Sequence, residues 1–127
     1  MPSPKKYERS QQLREQAHAI IAAGCHTYSK GDDQFPMHAP GFIVRGKGSR
    51  CWDVDGNEFI DWGMGLRSVI LGHAYPRVLE AVRAQLEFGS NFTRPAPIEL
   101  ELAELLVDLI PSAEMVKFAK NGSDVTT

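Results

Sequence analysis

The stretch Phe42–Gly63, "FIVRGKGSRCWDVDGNEFIDWG", decides the fold class. Apolar and aromatic residues alternate here with polar ones, the two-residue period of half-buried strands. Glycines punctuate it at Gly46, Gly48 and Gly56, and the Asp55-Gly56 pair tolerates the positive φ that a tight hairpin turn needs. The reading is a small antiparallel meander of three strands. Within it, "GFIVRGKG" (Gly41–Gly48) nearly spells the phosphate loop G-x-x-x-x-G-K-[ST]. Gly48 stands where that loop carries a hydroxyl, and a strand follows where the loop requires a helix. The stretch therefore reads as a hairpin turn with Lys47 in solvent.

Upstream, Leu13, Ala17, Ile20 and Ile21 form one apolar stripe of a helix expected over Glu8–Ala23, which Gly24 stops. The segment Gly24–Gly41 has no regular period and reads as an irregular loop of the kind that often carries function. Downstream, "YPRVLEAVRAQLEFG" has Pro76 at a helix start, Val78, Leu79, Val82 and Leu86 on one face, and Gly89 past the end. A second amphipathic helix follows, with Leu102, Leu105, Leu106 and Leu109 apolar and Pro111 closing the segment. Val116–Ala119 then reads as a short strand feeding a turn. A meander, two helices and a strand in that order make an α/β protein whose main sheet has only been entered.

Composition excludes more than it selects. The 127 residues are 43% hydrophobic and 24% charged with a net charge of -2, and no basic block offers an electrostatic footprint for nucleic acid. Cys25 and Cys51 sit in no metal-ligand or CxxC spacing, which fits free thiols in the cytoplasm. No apolar run is long enough to span a bilayer, and the polar start does not resemble a signal peptide.

The turn "KNGSD" invites a chemical reading. A strand followed by Asn121, Gly122, Ser123 and a helix start would gather unpaired N–H groups and the positive end of the helix dipole at one point, which suits a phosphate. Asn-Gly is also a common turn, with Ser123 or Asp124 as an ordinary helix cap.

Taken in order, the motifs "RGKGSRCWDVDGNEFIDW", "LGHAYPRVLEAV" and "ELELAELLVDLIPSAEMVKFAKNGSD" closely resemble the N-terminal part of class III aminotransferases, nearest the glutamate-1-semialdehyde aminomutase branch. The resemblance runs from about Gly24 onward and implies an α/β protein of fold type I dependent on pyridoxal 5'-phosphate, usually a homodimer. It assigns Asn121, Gly122 and Ser123 to the cofactor phosphate. Asp124 matches an acidic residue beside that turn, not the partner of the pyridine nitrogen. The Schiff-base lysine lies later in the family, so this segment is expected to be the first part of a longer protein and inactive by itself. No catalytic residue and no metal ligand is assigned within it.

On the substrate side the resemblance implies the loop Gly24–Lys30 and the stretch before "LGH". Thr27 keeps a hydroxyl, but Lys30 replaces an arginine and so loses the bidentate fork that suits a carboxylate. Leu66 falls where the aminomutases carry tryptophan, and Arg67 follows it as an anion contact or as a surface arginine paired with an acid. These departures favour an aminotransferase acting on another small amino or keto compound, with glutamate-1-semialdehyde 2,1-aminomutase as the alternative. A non-catalytic scaffold is a third reading, distinguished by whether the short chain is folded and monodisperse. His73, Asp53 and Asp61 read as structural hydrogen-bonders at turns and strand ends, and Trp52 and Trp62 as packing residues. The implied boundary falls between 1–88, with the helix, loop, meander and first long helix, and 89–127, the beginning of the large cofactor-binding domain.

Overall fold

The computed structural model describes residues 6–126, which divide between Arg83 and Ala84 into two compact units. The first unit holds helix α1 (Glu8–Ile20), strands β1 (Ile43–Lys47), β2 (Arg50–Asp53) and β3 (Glu58–Ile60), and a single turn α2 (Met64–Arg67). Helix α3 (Pro76–Leu86) begins there. The three strands form one antiparallel sheet in the order β1-β2-β3, as the alternation predicts.

The β2–β3 connection is organised by one carboxylate. Asp53 is only 1% exposed, and its Oδ1 accepts the N–H groups of Asp55 (3.0 Å) and Asn57 (2.7 Å). Its Oδ2 accepts the Asn57 side-chain amide at 2.7 Å. With those donors satisfied, Gly56 takes φ +82 and closes the turn. Asp55 then reaches out of the same turn to α1, accepting the N–H groups of Arg9 (2.7 Å) and Ser10 (2.9 Å) and the Ser10 hydroxyl (2.5 Å). Tyr7, at the cap position, makes no side-chain bond to the helix, so its exposed N-terminal donors are met from elsewhere in the chain. Burial pushes the Asp55 carboxyl up, but the Ser10 hydroxyl and the Arg9 and Ser10 N–H groups outweigh it and hold the carboxyl below its usual range.

Helix α1 ends at Ile20, earlier than the stripe suggests, because Ile21 is already extended (φ -122, ψ 125), and Ala23 and Gly24 beyond it adopt φ 57 and 71. Ile20 points to solvent, and Ala17 is the stripe residue that is buried. The 24–41 segment contains short 3-10 turns at Tyr28–Lys30 and Asp32–Gln34. Trp52 packs, with the Arg45 guanidinium 3.9 Å from its ring centroid. Trp62 does not: it is 88% exposed, which corrects the packing expectation.

The second unit carries α4 (Pro97–Leu109) and α5 (Gly122–Thr126). Pro97 occupies the first helical position and the Glu99 carboxylate accepts the Ala96 N–H at 3.0 Å, although alanine has no side chain with which to complete a capping box. At the end of α3, Gly89 takes φ +99 and its N–H donates to Leu86 O at 3.1 Å, the glycine stop expected from sequence. The expected strand at Val116–Ala119 is absent. Those residues join no ladder, and an extended segment becomes a strand only when a neighbour meets its N–H and C=O groups. No described residue of this unit is buried.

Candidate functional site

Two groups of candidate residues lie in the first unit. Thr27 and Lys30 share one 3-10 turn, where the Lys30 N–H donates to Thr27 O at 2.8 Å and the Cys25 thiol donates to the same oxygen at 3.2 Å. Asp32 fastens this loop to α1, its Oδ2 lying 3.1 Å from both Arg14 Nε and His18 Nε2. The His18 hydrogen bond, helped by the charges of His18 and Arg14, overcomes desolvation and holds the Asp32 carboxyl below its usual range. Gly31 fits closely there, since a Cβ would lie 2.6 Å from Asp33 Oδ1 and 3.1 Å from Tyr28 O.

Leu66 and Arg67 lie on α2, whose handedness no sequence period announces. Met64, Gly65, Leu66 and Arg67 all have positive φ (47, 60, 60 and 71), so this is one left-handed turn containing three non-glycine residues. Such backbone costs on the order of 1–3 kcal/mol per residue and persists only where the surroundings over-determine it. Asp61 supplies part of that constraint, its Oδ1 accepting the Met64 N–H at 3.0 Å. The Arg67 N–H bonds Gly63 O at 2.9 Å, the Val69 N–H bonds Met64 O at 3.0 Å, and the Ser68 hydroxyl bonds Gly65 O at 2.7 Å.

Asp61 Oδ2 lies 2.6 Å from His73 Nε2, with both side chains about one-fifth exposed. That hydrogen bond, followed by the Met64 N–H, depresses the Asp61 carboxyl below its usual range despite desolvation. His73 is thus the structural hydrogen-bonder that its place in the sequence suggests. The ring lies against β1 because Gly46 has no side chain; a Cβ there would be 2.5 Å from His73 Cγ. Among the described residues no ion pair engages Lys30 or Arg67, and no hydrogen bond joins Thr27 or Lys30 to Leu66 or Arg67.

Asn121, Gly122 and Ser123 lie at the start of α5 in the second unit. Asp124 Oδ2 accepts both the backbone and side-chain N–H of Asn121 at 3.1 Å, while the Asp124 N–H returns to Asn121 O. Gly122 has no φ in the left-handed range, and a Cβ built on it would meet nothing within 4 Å. Nothing inside the described chain requires glycine there. The near-match to a phosphate loop ends as a hairpin, with Gly48 at φ +56 and β2 following, so Lys47 joins no such site. The described residues include no group of three or more His, Cys, Asp or Glu placed to hold a metal ion, and no helix long and apolar enough to cross a membrane.

The family profile for class-III aminotransferases matches residues 28–127. The chain belongs to the class-III aminotransferases. A glutamate-1-semialdehyde 2,1-aminomutase of Persephonella marina is 40% identical over 121 residues, which is 95% of this chain and 28% of that relative. The chain therefore spans little more than a quarter of the length of that curated relative. A transaminase solved with PLP bound superposes with a TM-score of 0.86 at 30% identity, over 97% of this chain and 28% of that one. A glutamate-1-semialdehyde aminomutase from Pseudomonas aeruginosa PAO1 gives a TM-score of 0.69 at 26% identity, over 79% of this chain and 22% of that one. This class-III chain thus shares fold type I with those proteins. What the sequence period could not reveal is the tie from Asp61 to His73 and to the left-handed turn, because it depends on residues 12 apart meeting.

Proposed function

We propose that the whole protein is a pyridoxal-phosphate-dependent aminotransferase that moves an amino group between a small amino compound and a keto or aldehyde compound. When bound, the cofactor supplies the electron sink for the carbon that gains or loses the amino group. In this reading Asn121, Gly122 and Ser123 hold its phosphate. The observation that carries the assignment is Gly122, a glycine at a helix start with open space where a side chain would stand and no internal reason to lack one. The Ser123 hydroxyl adds a donor, and the first-turn N–H groups favour an anion.

Arg67 and Lys30 meet an anionic group of the substrate, with Thr27 and Leu66 beside them. Lysine is a poorer carboxylate fork than arginine, so Arg67 is the stronger anchor. Greater structural likeness to the transaminase than to the aminomutase supports this reading, as do leucine at 66 and lysine at 30. The 40% identity to a curated aminomutase favours glutamate-1-semialdehyde 2,1-aminomutase as the second reading. We further read the protein as a cytoplasmic homodimer whose large cofactor-binding domain begins near residue 89, with its Schiff-base lysine outside this segment.

The test has two parts. Pyridoxal phosphate should bind the whole protein and become fixed to it by borohydride, as read from mass and absorbance. Gly122→Val should lower cofactor affinity by about tenfold or more while leaving helix content unchanged; unchanged affinity would remove the phosphate assignment. Supplied with glutamate 1-semialdehyde, the enzyme should form 5-aminolevulinate poorly, whereas efficient conversion would establish the aminomutase reading instead.

A further inference from the structure

The loop from Asp61 to His73 is closed at its neck on adjacent residues of the β1–β2 hairpin. The Asp61 N–H donates to Ser49 O at 2.8 Å, while His73 and Gly48 exchange N–H···O bonds in both directions at 2.9 Å. Gly72, at φ +91, makes that approach possible, since a Cβ would lie 3.0 Å from Gly48 Cα. Across this neck the Asp61 and His73 side chains bond each other, and the free Asp61 oxygen takes the first N–H of the left-handed turn. Backbone pairing would close the loop without them. The side chains add a bond into the turn that holds three of the five described non-glycine residues with left-handed φ.

We infer that Asp61 and His73 are positioning residues that hold the Met64–Arg67 turn in its left-handed form and thereby fix Arg67 for the carboxylate of the substrate. The inference rests on the assignment of Arg67 to an anionic substrate group. His73 sets the direction of the Asp61 carboxylate through Oδ2, and Asp61 transmits it through Oδ1 to the Met64 amide, three residues before Arg67. Release of that amide lets Met64, Leu66 and Arg67 relax toward negative φ, which turns the guanidinium away. Neither residue needs to touch the substrate. Their loss should weaken substrate binding while leaving the chemical step, made elsewhere, largely intact.

The experiment uses the whole holoenzyme with Asp61→Ala, Asp61→Asn, His73→Gln and Arg67→Ala, and succinate as the carboxylate probe. Hydrogen exchange at the Met64 and Val69 amides reads the turn, and exchange at Cys51 in β2 reads the fold. Asp61→Ala should expose Met64 while Cys51 stays protected. It should also raise KM for a carboxylate-bearing donor and Ki for succinate by about tenfold with kcat little changed, the scale of a lost hydrogen bond to a charged group. Asp61→Asn keeps an oxygen for Met64 and should recover most of the loss; His73→Gln should fall between.

Arg67→Ala decides the underlying assignment separately, because no change in KM or Ki there overturns the role of Arg67 and this inference with it. If Arg67→Ala weakens succinate binding but Asp61→Ala does not, the Arg67 assignment stands and the positioning role is overturned. If Asp61→Ala unfolds the protein, Asp61→Asn and His73→Gln decide: unchanged Met64 exchange and unchanged Ki in both overturn the inference.

Discussion

From Phe42 to Gly63 the turns and strand ends are tied by named polar bonds, whereas the helix from Pro97 to Leu109 presents leucines to water. In the meander, Asp53 organises its own turn, Asp55 caps α1, and Asn57 holds Lys6 through bonds of 3.2 and 2.5 Å. In α4, Leu102, Leu105 and Leu109 are all exposed, and no residue of the helix is buried. The difference separates two sources of order. Asp53 can define its turn because its donors lie only two and four residues away and little loop entropy opposes them, whereas the Asp55 and Asn57 bonds reach across 45 to 51 residues. An apolar helix face gains its stabilisation only from area removed from water, and α4 has little such burial within this chain.

The comparison breaks most readily at Asp53. Asp53→Ala should strand the Asp55 and Asn57 N–H groups in a half-buried turn and cost about 2 kcal/mol, measured by denaturant unfolding of the meander through its tryptophans. A loss below about 0.5 kcal/mol, the level of an ordinary surface substitution, would mean that the turn does not depend on that carboxylate. Comparable in size, Gly46→Ala should force the His73 ring off β1 and cost about 2 kcal/mol, the scale of overpacking, with loss of protection at the Gly48 and His73 amides. Retained protection would show that the ring has another resting place. Smallest is Leu105→Ala, expected within about 0.5 kcal/mol in this chain because the side chain is already half exposed. A cost of several kcal/mol, seen as loss of α4 helicity, would show a partner for that face and end the contrast.

Much of this architecture was legible because its signals are local. The alternation of Phe42–Gly63 and Asp55-Gly56 marked the meander, and Pro76, Gly89 and Pro111 marked helix ends, since each acts through its own φ or missing N–H. The class-III motifs pointed to Gly122 and Ser123, and the structure adds that Gly122 has no conformational reason to be glycine. The strand expected at Val116–Ala119 failed for the complementary reason: its residues favour extension, but a ladder also needs a neighbour. Trp62 failed similarly, because alternation places a side chain on a face without supplying anything to cover it.

What the sequence by itself determined is the three-stranded meander, the two long helices that follow it and the membership of a family, all carried by residue types at short range. What only the tertiary structure decided is the left-handed turn beneath Leu66 and Arg67, the Asp61–His73 closure, and the capping of α1 by Asp55. Each joins groups separated along the chain or depends on backbone strain that distant contacts sustain, and neither leaves a period for a sequence to display.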